Sequence, residues 1–412
     1  MIPDTSIYLH IPFCVHRCAY CDFNTYAGQE DSIPAYVDAL IREIEFVGRQ
    51  LSNLPTFNVQ TVFFGGGTPS LLSGPQLAAV MDALRAAFSF REAPNLEATI
   101  EANPGTTSPE FLHEIRRAGI NRLSFGVQSA NPDELRMLER AHDFFDVVNS
   151  VKWARQAGFD NLNLDLIYAL SEQTLASWKS TLQRIVDLHP EHISAYALTL
   201  EHGTPFGHWS QRGLLPLPDP DLAADMYEFA EDFLATNGYV HYEISNWAKN
   251  VERSTFNVKR SYECRHNLQY WRSLSYLGLG AGAHGYANGY RYSNVLRIKT
   301  YIERLTANSQ PPTANFPLTP ATVNHHRQTE RDDMSEYMLN NLRLLIEGVS
   351  EEDFKSRFGR SLDDVYPKEI YELIRDGLLE FSKMSEGLES TEVYRLTKRG
   401  RLLGNQVFVR FV

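Results

Sequence analysis

The sequence predicts an α/β protein: a partial (β/α) barrel followed by a small winged-helix-like α+β unit. Three observations carry this reading. Short apolar strands alternate with amphipathic helices through the first half of the chain. Polar motifs recur where successive strands end. Near Ser309-Gln-Pro-Pro312 the composition shifts to short helices and one hairpin.

Taken in order, Ile7–Ile11 is the first expected strand, followed by a cysteine-rich loop. A helix is expected from Ala35 to Leu51, because Val37, Leu40, Ile41, Ile44 and Val47 fall on one stripe. Gln60–Phe64 reads as the second strand and stops at Gly65-Gly66-Gly67-Thr68-Pro69. Leu96–Glu101 is the third, and Ser108-Pro109 supplies an N-cap and first-turn proline for the helix after it, which Gly119 stops. Arg122–Val127, Leu162–Ile167 and His192–Leu200 complete six strands, the last two following helices that end at Gly158 and Leu188. Strands separated by helices of this length imply parallel βαβ units with right-handed crossovers. Six units fall short of an eight-fold barrel. Residues 221–237 and 239–247 add a helix and a strand, while about 205–220, rich in Gly and Pro, reads as a long loop. The boundary is placed so that 1–310 form the barrel with its extension and 311–412 the second unit. That unit is expected to carry helices over Met334–Leu345, Ser350–Phe358 and Pro367–Asp376, a hairpin of Leu379–Phe381 with Val393–Leu396, and a last helix over Thr397–Phe408.

The bulk properties exclude several classes. With 43% hydrophobic and 22% charged residues, the chain can bury a sizeable core without disulfides. A net charge of −12 and no basic block argue against nucleic acid as a partner, in the C-terminal unit as elsewhere. No apolar run approaches the roughly 18 residues of a membrane span. The N-terminus lacks the basic and apolar regions of a signal peptide, so the expected location is cytoplasmic.

Of the four cysteines, three lie within eight residues, in His10-Ile-Pro-Phe-Cys14-Val-His-Arg-Cys18-Ala-Tyr-Cys21-Asp-Phe-Asn24. That is too tight for a disulfide framework and reads as a metal site. Soft thiolates suit iron–sulfur clusters and zinc alike. A Cys3His zinc site could take His10 or His16, or Asp22 as an oxygen ligand. The C-x3-C-x2-C spacing, the aromatic before the third cysteine and the lack of a second knuckle favour a [4Fe–4S] cluster. Three thiolates leave one iron open to chelate an amino acid.

This loop, its aromatic and its place after the first strand resemble the signature of the radical S-adenosylmethionine (SAM) superfamily. Tyr8-Leu-His10-Ile-Pro-Phe13 narrows the resemblance to the oxygen-independent coproporphyrinogen III oxidase branch. The resemblance implies a cluster on Cys14, Cys18 and Cys21 that passes one electron to SAM, giving methionine and a 5′-deoxyadenosyl radical. It also implies a SAM site at the C-terminal ends of the strands. Gly65-Gly66-Gly67-Thr68-Pro69 follows the second strand and is no P-loop, since Gly-Lys-Ser/Thr is missing. Glu101 ends the third strand, Gln128 the fourth, and Asp165 lies in the fifth; Arg140 stands between them. Tyr8, Gly66, Gly67, Thr68, Glu101, Gln128, Arg140 and Asp165 match the family's SAM-binding residues in order and local sequence. One departure is Ala169-Leu-Ser171, where the family usually has Gly-Leu-Pro.

The branch divides in two. The dehydrogenases carry a fourth cysteine two residues beyond the third, where this chain has Phe23, and a longer N-terminal segment than the six residues found before Ile7. Both differences resemble the haem-chaperone side, HemW. His266-Asn267-Leu-Gln-Tyr270-Trp271 resembles its haem-binding motif; on a helix His266 and Tyr270 would share a face. His284 and Cys264 remain competing haem ligands. The resemblance implies haem as a third bound group and delivery to haem-accepting cytochromes or respiratory enzymes. It further implies a homodimer, transient contact with the membrane and no coproporphyrinogen dehydrogenase activity, with SAM cleavage left open. The alternatives are that dehydrogenase, which decarboxylates two propionates to vinyls, and a scaffold built on structural zinc.

Overall fold

The computed structural model describes residues 4–51, 58–90, 96–250, 262–307, 318–386 and 389–412. Six strands run parallel: β1 (Asp4–Ile11), β2 (Asn58–Gly66), β3 (Glu97–Ala102), β4 (Arg122–Gln128), β5 (Leu162–Tyr168) and β6 (His192–Ala197). Each pairs with its predecessor in the series, so the array winds in one direction, as a barrel does. All six expected strands are present. A seventh was missed: Tyr276–Leu279 pairs parallel with β1 on its other side. Four residues with a central glycine show too little alternation to read as a strand.

Antiparallel strands extend both edges. Tyr239–Glu243 and Asn246–Lys249 pair as a hairpin beyond β6, where only a single strand was expected. His284–Ala287, Tyr290–Asn294 and Thr322–Arg327 continue from Tyr276–Leu279, giving a 13-stranded sheet that stays open. The stretch read as a loop around 205–220 contains a helix, Pro205–Gln211, whose Thr204 N-cap accepts from the Gly207 N–H. Its Thr-Pro start was a helix signal hidden among loop-like residues.

The two faces of the parallel sheet differ in chemistry. Ile7, Leu9, Val62, Phe64, Ala98, Ile100, Leu123, Phe125, Leu162, Leu164 and Ile193 are buried in one continuous apolar core with the surrounding helices. Helix Ile33–Leu51 adds Tyr36, Val37, Leu40, Ile44 and Val47 to it, as its stripe requires. The alternate residues turn the other way and are mostly polar, with Phe63 as an apolar exception. Register places Glu101 beside Ser124, Ser124 beside Asn163, and Asn163 beside His192; one step on, Gly126 meets Asp165 and Asp165 meets Ser194. Parallel strands covered on both faces ordinarily read as unbroken apolar runs. Here the period of two survives, because the concave side is a polar lumen.

In the C-terminal part, Val349–Ser350, Glu389–Leu396 and Leu379–Glu386 form a three-stranded antiparallel sheet in that order. Glu330–Asn341, Glu351–Phe358 and Pro367–Arg375 pack on it through Met334, Tyr337, Phe354, Ile370 and Leu373. This is a winged-helix-like arrangement. The last helix is two short ones, Lys398–Leu402 and Gly404–Phe408.

Candidate functional site

The cysteine loop leaves β1 at Ile11 and returns through a two-residue parallel pairing of Phe13–Cys14 with Tyr26–Ala27. Phe13 is buried against the edge of Tyr36, with ring centroids 5.2 Å apart. The glycine run after β2 is tied to this loop by backbone hydrogen bonds: Gly67 N to Ile11 O at 2.8 Å and Thr68 N to Phe13 O at 2.7 Å. A Cβ on Gly67 would stand 2.5 Å from the Phe13 carbonyl oxygen. Gly66 combines φ +111° with a Cβ position 2.5 Å from the His10 ring. These glycines are needed first for the approach of one loop to another.

A second glycine loop braces the far side. Asn24 donates to the carbonyls of Ala281 and Leu296, both at 3.1 Å, and a Cβ on Gly282 would lie 2.3 Å from Asn24 Nδ2. The buried Glu43 carboxyl anchors that loop, accepting from Gly280 N, Asn294, Tyr301 and Thr319. Tyr36 completes the brace, donating to His10 O at 2.6 Å and accepting from Ala281 N at 2.9 Å.

All four cysteines are free thiols. Cys14 is buried and its Sγ lies 3.7 Å from Thr68 Oγ1; burial pushes its thiol pKa up, with the neighbouring cysteine charges adding to it. Cys21 is likewise raised by burial. Cys18 Sγ lies 3.7 Å from the Arg140 guanidinium. Among the described residues no three His, Cys, Asp or Glu side chains are gathered closely enough to share one metal ion. A cubane makes a different demand, since each thiolate binds its own iron. His16 turns away to pair with Glu139 at 2.9 Å, and both ring nitrogens of His10 are engaged, by Tyr8 OH and Asn24 O.

Arg140 donates to Gly126 O at 2.7 Å and to Asn103 Oδ1, while its buried Nε has no partner among the described residues. Asn103, which the sequence reading did not single out, also donates to Thr68 Oγ1 at 3.0 Å. It therefore links the cysteine loop, the glycine run and the guanidinium. Glu101 accepts from Gly66 N at 3.0 Å through Oε2. Burial, then the nearby Asp165 charge, push its pKa up to about 8 against the opposing Gly66 N–H. Asp165 accepts from Ser124 and Asn163, each at 2.8 Å, and burial raises its pKa despite these donors. Gln128 sits at φ +67°, a left-handed conformation held for a side chain that ends the strand. Ala169, where the family usually has glycine, has φ +56°, and Ser171 fastens the same loop to Pro216 O. The departure changes the residue without removing the turn.

The donor set fits a cluster with a bound amino acid and nucleoside. Three thiols, a guanidinium, a protonatable carboxyl at the strand ends and glycine backbone are gathered around one loop. Tyr8 is held in the same place, its ring stacked on Phe63 at 6.3 Å.

The motif His266-Asn267-x-x-Tyr270-Trp271 lies deeper in the lumen, with the His266 ring 6.4 Å from that of Tyr8. Helix Arg265–Trp271 plugs the opposite end of the lumen, where Glu97 accepts from the N–H groups of Arg265 and His266. His266 is 1% exposed, with Nδ1 2.7 Å from Thr61 Oγ1 and Nε2 2.8 Å from Tyr270 OH. Its ring stacks on Phe63 at 4.9 Å. Burial, then Arg122, pull its pKa down to about 3, so it is neutral. Trp271 faces away, under the Arg343 guanidinium at 4.3 Å. The structure thus joins His266 to Tyr270 and separates both from Trp271; Asn267 is half-buried. Cys264 is buried with Sγ 3.8 Å from Glu97, and His284 is exposed.

Comparison with known proteins agrees with this architecture. Residues 8–185 match the family model of the radical SAM superfamily and residues 328–403 that of the HemN C-terminal domain. The chain is 38% identical to the heme chaperone HemW of Bacillus subtilis (strain 168), covering 99% of each chain. It is 34% identical to the heme chaperone HemW of Escherichia coli (strain K12), over 100% of this chain and 99% of that one. The solved coproporphyrinogen III oxidase HemN from Escherichia coli superposes with a TM-score of 0.79 at 24% identity, covering 100% of this chain and 90% of that one, a likeness of fold.

Proposed function

This chain belongs to the HemW family of radical SAM proteins, and from that premise we propose that it is a haem chaperone. It binds haem, SAM and a [4Fe–4S] cluster and delivers haem to recipient proteins such as respiratory cytochromes. The observation that carries the reading is Phe23, a 66% exposed side chain where the dehydrogenases have their additional cysteine, in a chain that aligns end to end with HemW proteins.

Cys14, Cys18 and Cys21 hold the cluster, which when bound supplies a reducing electron to SAM. Tyr8, Gly66, Gly67, Thr68, Glu101, Gln128, Arg140 and Asp165 form the SAM site. Within it the protein's own groups divide the work. Arg140, with its unpaired Nε, takes the methionyl carboxylate by charge-assisted hydrogen bonds. Glu101 has one oxygen held by Gly66 N and the other to offer to ribose hydroxyls. Thr68, donating toward Cys14 Sγ, steadies that ligand when it is a thiolate. The recipient cytochromes, a second copy of the chain and transient contact with the membrane complete the partners, in the cytoplasm. No helix among the described residues is long and apolar enough to cross a membrane.

The test is anaerobic reconstitution followed by haem titration and, in parallel, incubation of the reduced protein with SAM and coproporphyrinogen III. A Soret band that saturates at a fixed stoichiometry, without protoporphyrinogen formation, is the expected result. Conversion of coproporphyrinogen III without haem binding overturns it in favour of the dehydrogenase.

A further inference from the structure

We propose that Arg122 and Thr99 form a carboxylate-binding site inside the lumen, fitted to a propionate of the haem. This rests on the chaperone reading above and deepens it.

Arg122 opens β4 and stands in register with Thr99 of β3. It alternates with Leu123 and Phe125, which face the apolar core, so its side chain turns into the lumen. The residue is only 1% exposed, yet its Nε and Nη2 have no hydrogen-bond partner among the described residues. Those two nitrogens form one edge of the guanidinium, the edge that meets both oxygens of a carboxylate at once. Thr99 is fully buried on the adjacent strand, and its Oγ1 is likewise without a partner among the described residues.

Buried polar groups are ordinarily satisfied, and a buried cation left without a counter-ion is costly. The chain's own carboxylates do not answer this one. The charges of Glu97 and Asp165 reach the guanidinium, but their oxygens are committed elsewhere. Glu97 accepts from the N–H groups of Arg265 and His266 and from the Cys264 thiol. Asp165 accepts from Ser124 and Asn163. The fork is left open to a carboxylate that a ligand brings.

Position selects the ligand. The Arg122 charge is felt at His266, on the helix that closes the lumen, and at Asp165, near the strand ends. The guanidinium therefore lies between the motif helix and the SAM residues, while Arg140 beside Cys18 serves the methionyl carboxylate. A haem ligated from helix Arg265–Trp271 carries two propionates into this space. One of them on Arg122 and Thr99 fixes the rotation of the macrocycle about its bond to the axial ligand, a choice that a single iron–ligand bond leaves free.

The test compares ferric haem with its dimethyl ester, in which both propionates are blocked, on the full-length, cluster-reconstituted protein. The parent should bind haem at least about tenfold more tightly than the ester, the contribution of a charge-assisted pair. Arg122→Gln should bind the two alike, at the parent's affinity for the ester and with the parent's Soret band. Arg122→Lys should keep part of the preference and Thr99→Val should lose part of it. Without haem, Arg122→Gln should melt no lower than the parent, since it removes an uncompensated buried charge. An Arg122→Gln protein that keeps the preference for haem overturns the site. So does one that melts well below the parent or fails to fold, because the guanidinium is then structural. A parent that binds haem and ester equally overturns the site and leaves the chaperone reading standing; a parent that binds neither removes that reading itself.

Discussion

His266 Nε2 stands 2.8 Å from the hydroxyl of Tyr270, one helical turn further on, and the two rings meet edge to face at 5.1 Å. With Nδ1 on Thr61 and the ring on Phe63, this imidazole is bonded on every side it presents. Replacing it by alanine leaves a cavity and strands the Tyr270 hydroxyl, while the Thr61 hydroxyl keeps Ser6 Oγ. His266→Ala should lower unfolding stability by about 2–4 kcal/mol, measured by urea titration of the cluster-free protein. A loss under about 0.5 kcal/mol would show that the helix does not depend on it.

The three thiols should act as one unit. Cys14→Ser, Cys18→Ser or Cys21→Ser should each abolish retention of the roughly four irons of a cubane after anaerobic reconstitution. Iron and sulfide analysis checks this. A variant that keeps full iron shows that its cysteine is no ligand.

Gly67 has backbone where a side chain would go. Gly67→Ala puts a methyl group against the Phe13 carbonyl, so the chain must move on one side or the other. A destabilisation of about 2 kcal/mol or more is expected, with poor cluster retention because the displaced strand carries Cys14. Thermal melting together with iron content reports both effects.

Arg140 holds two fixed partners and has Nε to spare. Arg140→Lys cannot reproduce the planar fork. SAM affinity of the reconstituted protein should fall about 10- to 100-fold, the loss of one or two charge-assisted hydrogen bonds. Equilibrium dialysis measures it.

Glu101 gives a pH signature. Its folded pKa, about 8, lies above that of an unfolded glutamate, so the folded state prefers the protonated acid. The associated stability is fully present below about pH 4 and is lost as pH rises toward and through 8. Glu101→Gln removes that titration. The SAM-free variant should therefore gain about 4–5 kcal/mol relative to the parent at pH 8.5 and only about 1 kcal/mol at pH 5, in urea unfolding. Equal gains at both pH values would exclude the mechanism.

Much of the architecture was legible because local signals agreed with one another. The apolar outer row of β1 to β6, the stripe on Ile33–Leu51 and the Ser108-Pro109 start each follow from period and capping. The short strand Tyr276–Leu279 and the helix at Pro205 were not legible. The first owes its existence to an edge offered by β1, and the second is shorter than the periodicity that reveals helices. Asn103 was missed for a related reason: its role is a junction between Thr68 and Arg140, separated from it by 35 and 37 residues.

By itself, the sequence determined the cysteine spacing, the order of strands and helices and the set of polar residues at the strand ends, because these depend on neighbours within a turn or a pleat. Only the tertiary structure decided what those residues face. It showed the glycines of the 65–67 run serving the cysteine loop, Glu101 and Asp165 sharing one enclosed face, and His266 closing the lumen behind Tyr8, with the two rings 6.4 Å apart. Each of these is set by contacts between segments tens to hundreds of residues apart, and burial, which fixes both charge state and access, arises only when those segments meet.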